Sequence, residues 1–405
     1  QTFIANYDKV NIHVEPVCYS VDDRTELAEI FDGNEALIKK YTEKLATTFE
    51  RVEYAKNNFI RVVKVMKAFI LNDSVKSFLC LNNKLPQENK GLFDIKLLED
   101  FADALIKLYG IKGLKGKDLL YSINSEDYDA KRAEFIQRLS KGEKLFVISS
   151  YNTVGAGQNL QYKIPRGLEK ELLKINDRPS RGEKDFDAIY LDKPTNLLVN
   201  LGNNRSEEEF VKYLYHTEFF QETSELSMYD AFQHIKRAFR CYVTGNTYQL
   251  PYAQNIYNSK SVVLLSTRTI IQAIGRICRT NQKRKNIYVF ADNRIAENID
   301  LFILNDRLLN KEFIALLDKI REQSNAQIGE GSFENKAALL SVRANKFINN
   351  ISWNIVVVLV NPAFLFHPFN KLAASIKVVN ILNILGSKFR SFNQLVIRCQ
   401  NLIKV

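Results

Sequence analysis

Short apolar runs alternating with amphipathic stretches constrain this chain more than any other feature. Val75–Leu81, Leu119–Ile123, Leu145–Ser149, Asp187–Leu191 and Ile287–Phe290 are brief and apolar. That is the pattern of strands buried on both faces of a parallel sheet. Leu92–Leu108 between them has helical periodicity, and Asp127–Leu139 places Tyr128, Phe135 and Leu139 on one helix face. The alternation predicts a parallel sheet covered by helices on both sides. Ligands of such sheets bind beyond the carboxyl ends of the strands, so the functional motifs are expected there. Upstream, Val10–Val14 reads as a strand, and the stretch from Glu26 to Leu71 as two helices, with a break at Gly33–Asn34 separating an upstream connector from them.

A chain of 405 residues has room for two or three domains. Its formal net charge of +11 favours a polyanionic partner without identifying one. The five cysteines form no CxxC pair and no metal-like cluster with the four histidines, which argues for free thiols in a reducing compartment and against a zinc site. The expected location is the cytoplasm. Richness in Asn, Lys and Ile points to an AT-rich, bacterial genome. From its start at Gln1 rather than Met, the chain is expected to be a piece of a longer protein. The apolar run Ile355–Val360 ends at Asn361-Pro362, far short of a bilayer span, so no membrane partner is expected.

Two stretches carry chemistry. Ser266–Asp292 begins as an amphipathic helix with Ile270, Ile271, Ile274 and Ile277 apolar, and Gln272, Arg276 and Arg279 on the exposed side. Two arginines three residues apart can grip phosphate oxygens from two directions with their forked guanidinium groups. Gly275 leaves room for a close backbone or nucleotide. The second stretch, Ser149–Gln161, follows a strand with hydroxyl residues, Gly155 and Gly157, and its backbone N–H groups can face phosphates. Asn159 can donate and accept, which suits a ribose or an opposing loop.

Gln272-Ala-Ile-Gly275-Arg276-Ile-Cys-Arg279 resembles the sixth motif of superfamily 2 helicases and translocases, and Thr280-Asn281-Gln282-Lys283 resembles their chromatin-remodeller branch. Gly155-Ala-Gly157-Gln-Asn159-Leu-Gln161 resembles the fifth motif of the same family, in the right order along the chain. The resemblance departs at the family's usual threonine, whose place falls on Tyr151; the nucleic-acid phosphate contact is divided between Ser150 and Thr153, with Gly155. It covers roughly Val75–Asp292 and implies the second, C-terminal RecA-like motor lobe. Val75–Asn83 would then hold the place of the fourth motif.

What the resemblance implies is specific. Arg276 and Arg279 would reach the γ-phosphate of ATP and stabilise the charge that develops there, and Gln272 would help to position water or nucleotide. Gly275, Gly157 and Asn159 would lie against the cofactor. ATP and Mg²⁺ would be held mainly by a first lobe that this chain lacks. The nearest match to a phosphate-binding loop, Gly110–Asp118, has its spacing off by one, follows a helix and puts Asp118 where a magnesium-binding hydroxyl belongs. The expected partners are that first lobe and a nucleic acid, DNA slightly before RNA. The competing reading is a non-catalytic nucleic-acid-binding or scaffold domain of a larger complex, such as a restriction or defence assembly. Asp185 and Asp187 with Lys193 read as a strand edge and its turn, not as a nuclease centre.

The expected organisation is an N-terminal connector with helices (1–71), the α/β lobe (72–300) and a mainly helical C-terminal region (301–405). An aromatic-rich helical insertion (203–259) interrupts the lobe. Its rings alternate with Lys212, Lys236, Arg237 and Arg240, so they either stack on unpaired bases or form the core of the insertion. From Glu334 onwards the chain has no further acidic residue.

Overall fold

The computed structural model describes residues 7–19, 22–50, 52–87, 93–154, 159–176, 178–195, 197, 207–223, 225–244, 260–299 and 309–327. Gly155, Gly157, Asp300–Leu308, the Gly329–Ser332 stretch and the acid-free tail lie outside these residues.

Six parallel strands form one sheet in the order β1-β10-β8-β2-β4-β3. They are β1 (Asn11–Val17), β2 (Ser77–Asn82), β3 (Leu120–Ser122), β4 (Leu145–Ser150), β8 (Ala188–Leu191) and β10 (Asn286–Asp292). The fold class is therefore α/β with a parallel sheet, an arrangement consistent with a RecA-like lobe. Side chains alternate across the sheet because successive Cβ atoms point to opposite faces. Phe78, Cys80, Phe146, Ile148, Tyr190 and Phe290 face one core; Leu79, Leu81, Val147, Ile189, Leu191 and Val289 face the other. Each fully buried Val, Leu, Ile or Phe among them contributes roughly 1.5–3 kcal/mol.

The first core is covered by helices Asp23–Ile30, Glu35–Phe49, Glu53–Leu71 and Ile95–Leu108. Three helices thus occupy the stretch where the periodicity alone predicts two. The break between the first pair is built by Asp32 and Gly33, both at positive φ, and by Asn34, whose side chain caps the next helix through the Leu37 N–H at 3.2 Å. This N-terminal stretch is part of the first core, and its strand β1 is the sheet's edge. Pro16 fits there because an edge strand can spare a donor.

The second core is covered by helices Tyr128–Ser140, Lys260–Ile274 and Lys311–Gln327. The glycines of Gly110–Asp118 serve packing and turns. Gly110 and Gly113 have positive φ, and a Cβ on Gly116 would lie 2.5 Å from the Glu99 carbonyl oxygen. The Gly116 N–H donates to Asp103 Oδ1 at 2.6 Å, seating the short helix Gly116–Leu119 on its neighbour.

Two small antiparallel pairs complete this unit: β5 (Tyr162–Lys163) with β7 (Glu183–Lys184), and β6 (Leu172–Lys174) with β9 (Gln282–Arg284). The described residues divide into two compact units, one within Gln1–Asn200 and Tyr252–Gln327, the other containing Leu201–Pro251. Within the second, helices Glu207–Glu222 and Met228–Thr244 pack through Phe210, whose ring lies 4.8 Å from Phe239 and 4.7 Å from Tyr242. Tyr213 hydrogen-bonds His234 Nδ1 at 2.9 Å. Tyr215, Phe219, Tyr229 and Phe232 remain exposed, so the aromatic residues split between a small core and an outer surface. Among the described residues, no helix is long and apolar enough to cross a membrane.

Candidate functional site

The two motifs meet in a cleft of about 1000 Å³ whose walls include Asn159, Gln161, Cys278, Arg279, Thr280 and Asn281. Its position corrects the expectation of a site beyond the carboxyl ends of the strands. Tyr7 precedes β1, Glu183 lies in β7 just before β8, and Thr280-Asn281 precede β9 and β10. The cleft opens beside the amino ends of these strands.

A buried ion network forms its floor. Lys283 Nζ pairs with Asp185 Oδ2 at 2.9 Å, donates to the Ile277 carbonyl and lies 4.0 Å from Glu312. Asp185 also accepts from the Thr280 N–H and hydroxyl, both at 2.8 Å, and from Gln161 Nε2 at 2.8 Å. A single carboxylate thus ties the turn after Arg279 to the segment after Asn159. Burial opposes both charges of this pair. Asp185 nevertheless holds Lys283 above the usual lysine range, and Lys283 with these hydrogen bonds holds Asp185 below the usual carboxylate range. Tyr7 donates its hydroxyl to Glu312, and burial followed by the Glu312 charge pushes both the Tyr7 phenol and the neighbouring Cys278 thiol up. Asp187 is likewise committed. It pairs with Lys184 and with Arg284 at 3.2 Å, and accepts from the Lys76 and Ser77 N–H groups at 3.1 and 3.2 Å. Asp185 and Asp187 are structural clamps, whereas Lys193 pairs elsewhere, with Glu297.

Arg276 and Arg279 have different environments. Arg279 is exposed and lines the cleft. Arg276 is 3% exposed, in the short 3-10 turn that ends the helix, and burial followed by the charge of Arg279 lowers its pKa. Gln272 is exposed on the preceding turn and is absent from the cleft wall. A Cβ on Gly275 would touch nothing within 4 Å, so the space expected beside it is open.

Ser150 and Thr153 face each other: their hydroxyls are 2.9 Å apart, and the Thr153 N–H donates to Ser150 Oγ at 3.1 Å. They close the turn that follows β4. Tyr151, at the family's threonine position, is anchored by its hydroxyl to the Asp192 carbonyl at 2.5 Å. Asn159 is exposed, and its carbonyl accepts from Arg132 Nε at 2.5 Å.

Sequence reasoning passed over Arg132, Arg178, Arg181 and Lys311. Arg178 and Arg181 flank Pro179-Ser180 between two short strands, a basic loop whose only local signal is its charge. Lys311 reaches the cleft because its helix packs against the second core.

The carboxyl edge of the sheet holds another buried cluster. Arg61 lies 3.8 Å from Asp192 and 3.4 Å from Asp292, and Arg294 grips Asp292 with both Nε and Nη2. Asn58 and Asn83 donate to Asp192 Oδ2 at 2.9 and 2.6 Å. Burial first, and then the charge of Asp292, push Asp192 up to about 6. Burial also acts on Asp292, but the hydrogen bonds from Arg294 and the charge of Arg61 bring it below the usual range. Cys18, Cys80, Cys241 and Cys278 are free thiols, and among the described residues no group of three or more His, Cys, Asp or Glu is placed to hold a metal ion.

Compared with known proteins, the chain matches no family model and no curated protein sequence.

Proposed function

We propose that the chain is the C-terminal motor lobe of an ATP-dependent nucleic-acid helicase or translocase, with DNA the favoured track. The observation that carries this reading is the meeting of Asn159 and Gln161 with Arg279–Asn281 in one cleft. These are segments separated by more than a hundred residues, and each resembles a motif of that family.

In this reading Arg279 is the residue that contacts phosphate. Its guanidinium is accessible in the cleft, and its backbone is held by the Asp185–Lys283 clamp immediately downstream. Arg276 is a positioning residue: buried in the turn before Arg279, it adds positive potential and shapes the turn. Arg132 fixes Asn159 for the nucleotide or the opposing lobe, and the Ser150–Thr153 turn carries strand β4 into the nucleic-acid loop. ATP supplies the phosphoryl group to be transferred. The donors here suit its phosphates and not its metal, since Asp185 and Glu312 are already engaged with Lys283 and Tyr7. Mg²⁺ would therefore be held by the first lobe.

The test uses the full-length protein that includes that lobe. Arg279→Ala is expected to lower ATP turnover by on the order of 10³-fold with nucleic-acid binding retained. Arg276→Ala is expected to lower the melting temperature as well as turnover, because its side chain is buried. Unchanged turnover in Arg279→Ala sinks the assignment.

A further inference from the structure

The cleft contains a basic loop that the motor reading does not use. Between β6 and β7 the chain runs Ile175-Asn176-Asp-Arg178-Pro179-Ser180-Arg181-Gly182. Arg178 and Arg181 are exposed, and both line the cleft on which Arg279 and Lys311 also border. Among the cleft-lining residues, four cations face a single acid, Glu183. Lys311 is also paired with Asp8.

The loop is not a loose surface excursion. Asn281 Nδ2 donates to the Arg178 carbonyl at 2.7 Å and to Asn176 Oδ1 at 3.2 Å. Asn176 Oδ1 also accepts from the Arg178 N–H at 3.1 Å. The Ile175 N–H donates to the Asn281 carbonyl at 2.9 Å, and Ser180 Oγ donates to Gln282 Oε1 at 2.7 Å. Ser180 Oγ in turn accepts from the Gly182 N–H at 3.1 Å, and the β6–β9 pairing fixes the loop's stem. Pro179 restricts the backbone between the two arginines. The residues that follow Arg279 thus hold the loop that bears Arg178 and Arg181. The backbone that carries the three arginines is thus pre-ordered, so the freedom lost on binding is mainly that of their side chains.

We infer that Arg178 and Arg181 form, with Arg279, a phosphate-binding site in this cleft, with Asn281 as the residue that positions the loop. Planar forked donors on two sides of a cleft suit a run of phosphate oxygens, which each guanidinium can meet with two N–H groups. The ligand is thus a chain of phosphates, supplied by a nucleoside triphosphate or by a nucleic-acid backbone. This goes beyond the motor reading, because the site is built from this chain's own residues and needs no first lobe.

The experiment measures binding of a fluorescent ATP analogue and of a fluorescein-labelled oligonucleotide duplex to the 405-residue chain, by anisotropy over a salt series. Arg178→Ser with Arg181→Ser is expected to weaken the true ligand by about tenfold or more, since two donors of charge-assisted hydrogen bonds are lost. If the ligand is the nucleic-acid backbone, the slope of log affinity against log salt falls by about two. If it is the triphosphate, the analogue alone is affected. Asn281→Ala is expected to weaken the same probe with the salt slope preserved, because both arginines remain; the Arg→Lys pair restores part of the affinity. Both arginines are exposed, so the melting temperature reports that the fold is intact. No binding of either probe to the parent chain, or unchanged affinity for both in the double variant, overturns the site. Loss of binding in the double variant, with full-length ATP turnover indifferent to Arg279→Ala, keeps the site and rejects the motor.

Discussion

The two edges of this parallel sheet hold similar materials and use them differently. At the carboxyl edge, Arg61 and Arg294 face Asp192 and Asp292, and Asn58 and Asn83 both donate to Asp192 Oδ2; Arg61 and both carboxylates are almost wholly buried. At the amino edge, Lys283, Asp185 and Glu312 form a comparably buried set, but a cleft of about 1000 Å³ lies over it, bordered by exposed arginines. One edge closes its charges on themselves. The other uses a closed layer of charge to hold an open, positive one. The general preference of parallel sheets for ligands at carboxyl ends does not apply to this cleft, which lies at the amino ends.

This contrast can be broken most directly by removing one charge from each edge. Asp185→Ala leaves Lys283 buried without its closest counter-ion and releases Thr280 and Gln161, so it should cost about 3–5 kcal/mol in urea unfolding. Phosphate binding should fall with it even at temperatures where the variant stays folded. Arg294→Ala is expected to cost less, about 1–3 kcal/mol, because its side chain is only part-buried and Arg61 remains beside Asp292. Phosphate binding by that variant should be unchanged. Equal losses of binding in the two variants would mean that the edges are not separate devices.

The next effect is one of pH. Asp192 is raised to about 6 in the folded protein from an ordinary value of 3.8. Between these values the folded state keeps a proton that the unfolded chain has released. Asp192's contribution to stability is therefore largest below the lower value and is lost as the pH rises through about 6. Denaturant unfolding across that window should show the decline, and Asp192→Asn should flatten it. An identical pH profile in the variant would place the proton elsewhere. The smallest expected effect is at the surface: Arg181→Ala should alter stability by no more than about 0.5 kcal/mol while weakening phosphate binding. A large loss of stability there would show that the loop's charge is structural.

The layered architecture was legible because its signal is local. Buried parallel strands are short and apolar, and the runs at Val75–Leu81, Leu145–Ser149, Asp187–Leu191 and Ile287–Phe290 fall on β2, β4, β8 and β10 within a residue or two. The break at Gly33–Asn34 was legible, but not that the stretch before it, Asp23–Ile30, is itself a helix: it is only eight residues long, and its start is set by the Asp22 cap. Arg276 and Arg279 looked equivalent in the sequence, three residues apart on one helix. The helix ends before them in a tight turn, which sends one arginine inward and the other into the cleft.

From the sequence alone came the α/β class, the strand positions and a basic helix end that resembles a phosphate-contacting motif. Tertiary structure alone decided which edge of the sheet is open, which arginine is accessible and which loop joins it. The physical reason is the range of the interactions. Hydrophobic periodicity is written in neighbouring residues, whereas the clamp between Asp185 and Lys283 spans 98 positions and the hydrogen bond from Asn281 to the Arg178 carbonyl spans 103. A charge becomes a clamp or a binding group according to what the fold brings against it.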